Sequence, residues 1–217
     1  MNTLSSSRAV QVLDRLFAES DASEPARAAA VAGADVSALV TSRTRYPEFY
    51  GLLKEIPLPV SRETGALLYI LARAARAQSV LEFGMSFGVS TIYLAAALRD
   101  NGGGRVITTE FEVSKVERAR KNLTEAGLID LVEIREGDAL QTLARDLPET
   151  LDFVLQDGAK ALYADVLALV ESRLRPGTLV LADDARYCAE FVNRIRATAK
   201  SYVSVPMAGD LEMAMRL

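Results

Sequence analysis

The chain has 217 residues, half of them hydrophobic and a quarter charged, with 25 Lys and Arg against 29 Asp and Glu for a net charge of −4. That fits one globular domain, or one domain with a terminal extension, and offers no basic face for nucleic acid. Histidine is absent and Cys188 is the sole cysteine. This excludes Ser-His-Asp and Cys-His catalysis, histidine metal ligands and an intrachain disulfide. Proton transfer falls to Lys, Asp, Glu, Tyr or Cys, and any metal site is built mainly from oxygen, which suits a hard cation.

The first seven residues are polar and uncharged, and the apolar stretch from Val10 to Phe17 is broken by Asp14 and Arg15, so no signal peptide is expected. No apolar run approaches the roughly 18 residues of a membrane span. A cytoplasmic protein without membrane contact is expected. Up to residue 78 the pattern is helical. Val10, Leu13, Leu16 and Phe17 recur at helical spacing behind a serine cap. Ala-rich stretches and Tyr46-Pro47-Glu48-Phe49-Tyr50 follow. Pro57 and Pro59 mark a loop, and Ser61 is placed to cap a helix carrying Leu67, Leu68, Ile70, Leu71 and Ala74. Residues 1–60 are therefore expected to be a helical extension, for capping or dimerisation, before a domain at 61–217.

From residue 79 short apolar runs alternate with helical ones. Strands are predicted at Ser79–Phe83, Arg105–Glu110, Leu131–Arg135, Leu151–Asp157 and Thr178–Asp183. Helices are predicted at Val89–Arg99, Ser114–Ala126, after Asp138, at Leu162–Arg173 and at Glu190–Lys200. Tyr202–Val205 and Glu212–Arg216 read as a closing pair of strands around Gly209-Asp210. Strand-helix alternation of this kind implies a parallel α/β sheet with ligands at the carboxyl ends of the strands.

Three strand tips carry polar features. The first strand runs into Glu82-Phe83-Gly84-Met85-Ser86-Phe87-Gly88-Val89-Ser90-Thr91, where Gly84 and Gly88 permit a tight turn and a close ligand. The dinucleotide fingerprint Gly-x-Gly-x-x-Gly is absent, because Glu82 stands where its first glycine would be. A carboxylate there suits a cationic ligand, an ammonium or a sulfonium, better than a pyrophosphate. The second strand ends at Glu110, placed to accept ribose hydroxyls or to sit as a negative charge before a helix. The third is followed by Asp138-Ala139, which either faces an adenine edge or caps the next helix.

On these motifs the chain resembles the class I S-adenosylmethionine-dependent methyltransferases, and within them the catechol and caffeoyl-CoA O-methyltransferase-like family in its small bacterial form, over roughly residues 40 to 217. The resemblance implies a Rossmann-like fold with a mostly parallel seven-stranded sheet, helices on both faces and an antiparallel C-terminal strand. It implies S-adenosylmethionine held by Glu82, Gly84, Ser86, Ser90, Glu110, Phe111, Asp138, Ala139 and Asp157.

The fourth strand ends in Gln156-Asp157-Gly158-Ala159-Lys160 and the fifth in Asp183-Asp184. Neighbouring strands would bring Asp157, Asp183 and Asp184 together, which costs energy unless a cation neutralises them; otherwise they face water. The resemblance implies Mg²⁺ on these three residues, with Asp184 standing where the family usually has Asn. It implies Lys160 as the base beside Asp157, at a helix start where the dipole disfavours a cation. The expected activity is methyl transfer to a hydroxyl of a small catechol-like or secondary-metabolite substrate, by a homodimer. Tyr46, Phe49, Tyr50, Met85, Phe87, Tyr163, Arg186 and Tyr187 are candidates for substrate contact. Rivals are a metal-independent transferase, an inactive cofactor-binding relative (Asp184 and Gln156 being the residues that suggest it), and an NAD(P)-dependent reductase. The last has its Tyr50-x-x-x-Lys54 pair on the wrong side of the glycine loop.

Overall fold

A computed structural model of the chain describes residues 2–197 and 200–217. The N-terminal segment forms α1 (Ser7–Ala30), α2 (Val36–Val40), α3 (Tyr46–Leu52) and α4 (Arg62–Ala74). The serine caps read from the sequence are in place: Ser6 Oγ accepts from Ala9 N and Ser61 Oγ from Thr64 N. Then come β1 (Ser79–Phe83), α5 (Val89–Asp100), β2 (Arg105–Glu110), α6 (Val113–Glu125), β3 (Val132–Glu136) and α7 (Ala139–Thr142). The chain continues through β4 (Leu151–Gln156), α8 (Tyr163–Val170), β5 (Leu174–Ala182), α9 (Ala189–Ala197), β6 (Tyr202–Met207) and β7 (Leu211–Arg216).

The sheet order is β3-β2-β1-β4-β5-β7-β6. Neighbours from β3 to β5 pair in parallel, and β7 is antiparallel to both β5 and β6. This is the expected seven-stranded sheet. Its chain order reverses between β1 and β4, so a crevice opens at the carboxyl ends of those two strands.

Both faces are covered, which is why Val80 through Phe83 are all buried rather than alternately so. On one face Val80, Val106, Phe153 and Leu181 pack against α1, α4, α5 and α6; on the other Leu81, Ile107, Val154 and Val180 pack against α7, α8 and α9. The first helix joins the main core through Val12, Leu13, Leu16 and Phe17. Between α4 and α5 the Tyr93 ring packs so closely on Gly65 that a Cβ there would lie 2.3 Å from it.

Three element ends differ from the sequence reading by more than two residues. The helix predicted at Leu162–Arg173 is α-helical over Tyr163–Val170 alone, with 3₁₀ turns at Lys160–Leu162 and Glu171–Arg173. The fifth strand starts at Leu174, four residues early, because Leu174 pairs with Leu151 before a register shift at Pro176-Gly177 resumes the ladder at Leu179. A proline and a glycine at positive φ look like a turn in sequence, and here they form a bulge. The helix predicted to reach Lys200 is described to Ala197; Thr198 and Ala199 lie outside the described residues.

Candidate active site

A cavity of about 360 Å³ lies at the carboxyl ends of β1, β2, β3, β4 and β5, roofed by residues of α2, α3 and the Leu58-Pro59 segment. That volume falls within the range of small-molecule sites. One end is framed by main chain. Gly84 has φ +97°, and a Cβ there would lie 2.5 Å from the Asp157 carbonyl oxygen, so only glycine lets the β1 and β4 tips meet. Ser86 takes the left-handed region at φ +49°; its N–H donates to Glu110 Oε2 at 2.9 Å, and its Oγ accepts from Leu58 N at 3.1 Å. Phe111 N and Glu112 N donate to Glu110 Oε1, each at 3.0 Å. Burial raises the Glu110 carboxyl above its ordinary value, against these N–H donors and nearby Lys115. Asp138 caps α7 by accepting from Leu140 N at 2.9 Å, and with Ala139 it also lines the cavity.

The other end is framed by side chains. Lys160, 8% exposed, donates from Nζ to Asp157 Oδ1 at 3.0 Å and to Tyr163 Oη at 2.9 Å, and it pairs with Asp184 Oδ2 at 3.2 Å. Tyr163 Oη in turn donates to the Asp183 carbonyl oxygen at 3.0 Å. Tyr50 reaches in from α3, its hydroxyl donating to the Gly158 carbonyl oxygen at 3.0 Å. Tyr46 and Tyr50 each meet Phe111 edge to face, with ring centres 6.4 and 6.1 Å apart. Burial pulls the Lys160 ammonium down, but Tyr163, Asp157, Tyr50 and Asp184 outweigh it and hold the group charged. Burial pushes the Asp157 carboxyl up to about 8, against Lys160 and with help from Asp183. Burial likewise raises Asp183, and it lifts the Tyr50 hydroxyl to about 12.

Of the cofactor residues expected from sequence, Gly84, Ser86, Glu110, Phe111, Asp138, Ala139 and Asp157 line this cavity. Glu82 and Ser90 stand behind its wall. Glu82 is fully buried, with Oε2 accepting from Thr91 and Thr108 Oγ1 at 2.5 Å each and Ser90 beside it. Asp157, Asp183 and Asp184 all line the cavity, yet among the described residues no three acidic or cysteine side chains are grouped to hold a metal. The space between Asp157 and Asp184 is taken by the Lys160 ammonium. Met85 and Phe87 turn into the core, and Tyr163 lies beneath the cavity as the partner of Lys160. The sequence reading passed over Lys115, a cavity residue in the first turn of α6. Its trace in the sequence is a lysine five residues past Glu110, where a helix start favours acids.

Residues 81–185 match the family described as a methyltransferase domain. The match runs from within β1 to the start of the 3₁₀ turn after β5, a span that carries residues from both ends of the cavity. The chain is 36% identical over 130 residues to the catechol O-methyltransferase of Niastella koreensis, a stretch covering 58% of this chain and 58% of that protein. It is 33% identical over 162 residues to the catechol O-methyltransferase of Mycobacterium tuberculosis, covering 74% of this chain and 65% of that one. The chain thus spans less than two thirds of the length of either relative. The O-methyltransferase of Bacillus cereus, solved in complex with S-adenosylhomocysteine (SAH), shares the fold with a TM-score of 0.68 at 24% identity, over 93% of this chain and 100% of that one. Among the described residues no helix is long and apolar enough to cross a membrane.

Proposed function

We propose that the chain is an S-adenosylmethionine-dependent O-methyltransferase acting on a small hydroxylated substrate. The observation that carries this reading is the cavity itself: a ribose-type carboxylate, Glu110, at one end and the buried Lys160–Asp157 pair at the other. The names of the catechol O-methyltransferase relatives, and the SAH bound to the Bacillus cereus protein, support it. The residues fit the cofactor. Glu110 and Asp138 suit a nucleoside, and the negative charge of the β4 and β5 tips suits a sulfonium.

Bound S-adenosylmethionine supplies a methyl group on positively charged sulfur, and the C–S bond breaks as the C–O bond forms. Lys160 keeps its proton and steadies the oxygen that becomes negative. Its three N–H donors already serve Asp157, Tyr163 and Asp184, so an entering substrate oxygen takes the place of Asp184, the longest and most exposed of the three. Asp157, paired with the Lys160 ammonium at 3.0 Å and lining the acceptor end, accepts the substrate proton. Tyr46, Phe49 and Tyr50 close the acceptor end, bringing the reactants together and keeping water out.

The Mg²⁺ expected at Asp157, Asp183 and Asp184 does not fit this arrangement, because the Lys160 ammonium sits between Asp157 and Asp184 and the three carboxylates are not grouped around one point. No step runs through a metal.

Transfer of labelled methyl from S-adenosylmethionine to a panel of phenols and vicinal diols tests the reading. Turnover is expected to survive EDTA and to fall about 10²–10⁴-fold in Lys160→Met, with SAH affinity unchanged. Equal turnover in the variant would refute the role of Lys160.

A further inference from the structure

Lys115 is 3% exposed and lines the cavity beside Glu110, and its ammonium makes no hydrogen bond or ion pair with any described residue. Its position is unfavourable twice over. A buried ammonium without a partner loses its hydration, and the third residue of α6 faces the positive end of the helix dipole. Glu110, Glu112 and Glu55 lie close enough to favour its charge, yet burial prevails and lowers its proton affinity. A chain keeps such a group where a ligand completes it.

Glu110 shows what is missing. Its oxygens already accept three main-chain N–H groups, which leaves about one of a carboxylate's four acceptor sites free. A ribose cis-diol offers two hydroxyl donors and also oxygens that need a donor, so the carboxylate alone cannot satisfy it. We propose that Lys115 is a cofactor-binding residue whose ammonium donates to a ribose hydroxyl oxygen while Glu110 accepts from the diol. This rests on the S-adenosylmethionine reading above. The lysine and the glutamate together select a ribonucleoside with both hydroxyls intact.

Calorimetric titration with SAH and with its 2′-deoxy and 3′-deoxy analogues tests this. In the wild-type chain, removal of the contacted hydroxyl is expected to weaken binding about ten-fold or more. Lys115→Met, which keeps the length of the side chain, is expected to bind SAH about ten-fold more weakly and to show no further loss with that analogue. The ligand-free melting temperature of the variant is expected to stay level or rise, since an unpaired buried charge has gone. Should Lys115→Met fail to fold, Lys115→Leu, which likewise has no donor, is read in the same way. Unchanged SAH affinity in the variant, or undiminished discrimination between SAH and its deoxy analogues, would overturn the proposal. A wild-type chain that bound no SAH would overturn the S-adenosylmethionine reading along with it, and this shows in the first titration, before any variant is made.

Discussion

At the β1–β3 end of the cavity Glu110 is fixed by three main-chain N–H groups, the farthest from Ser86, 24 residues away in the chain. At the β4–β5 end Lys160 is fixed by the side chains of Asp157, Tyr163 and Asp184, and the wall is completed by Tyr50, 108 residues from the carbonyl it meets. The first end depends on backbone course, so glycine is its critical residue. The second depends on a chain of buried polar side chains, where removing one group leaves others unsatisfied. A fixed nucleoside end and a side-chain-built acceptor end let one scaffold hold a constant cofactor while its acceptor varies.

That contrast can be broken at the backbone end first. Gly84→Ala puts a Cβ against the β4 tip at a positive φ, and the expected loss of stability is about 3 kcal/mol in urea unfolding, from strain and overpacking together. A variant as stable as the wild type would mean that the two strand tips need not touch.

The acceptor end is sharpened by Tyr163→Phe. The change leaves the Asp183 carbonyl without its donor and Lys160 without one acceptor. A stability loss of about 1–3 kcal/mol is expected, with turnover reduced and SAH affinity kept. Weakened SAH binding would show that the two ends are not separable.

A smaller effect is expected at the amino ends of the central strands, away from both ends of the cavity. Asp152 accepts from Gln78 N, Ser79 N and Arg175 at 2.8, 3.0 and 2.7 Å. Burial alone would raise its carboxyl, but these partners lower it below the ordinary value. A carboxyl lowered in the folded state stabilises at pH values above its unfolded value. That contribution is lost as pH falls through the folded one. Asp152→Asn is expected to cost about 1 kcal/mol at pH 7, a difference that vanishes in strong acid, with SAH binding untouched throughout. A cost that persisted in acid would contradict the charge-based account.

The same contrast explains what was legible in the sequence. Strands β1 and β2 have the predicted bounds, because continuous apolar runs broken by glycine or by an acid mark buried parallel strands. Glu110 was readable for the same reason, standing at a strand tip. The Lys160 cluster was legible as a set of residues but not as an arrangement. Three aspartates suggested a cation between them, and nothing local said that the Lys160 ammonium would lie against two of them. Pro176-Gly177 misled because a bulge is set by the partner strand. Lys115 went unnoticed because its neighbours make it resemble a solvated helix lysine, and only the packing of α6 onto the cavity buries it.

Calorimetric titration of SAH into the wild-type chain, Glu110→Ala and Lys160→Met tests the division of the cavity most directly. The account predicts one site per chain, weakened about ten-fold or more by Glu110→Ala and unchanged by Lys160→Met. No binding to the wild-type chain, or equal weakening by the two variants, would contradict it.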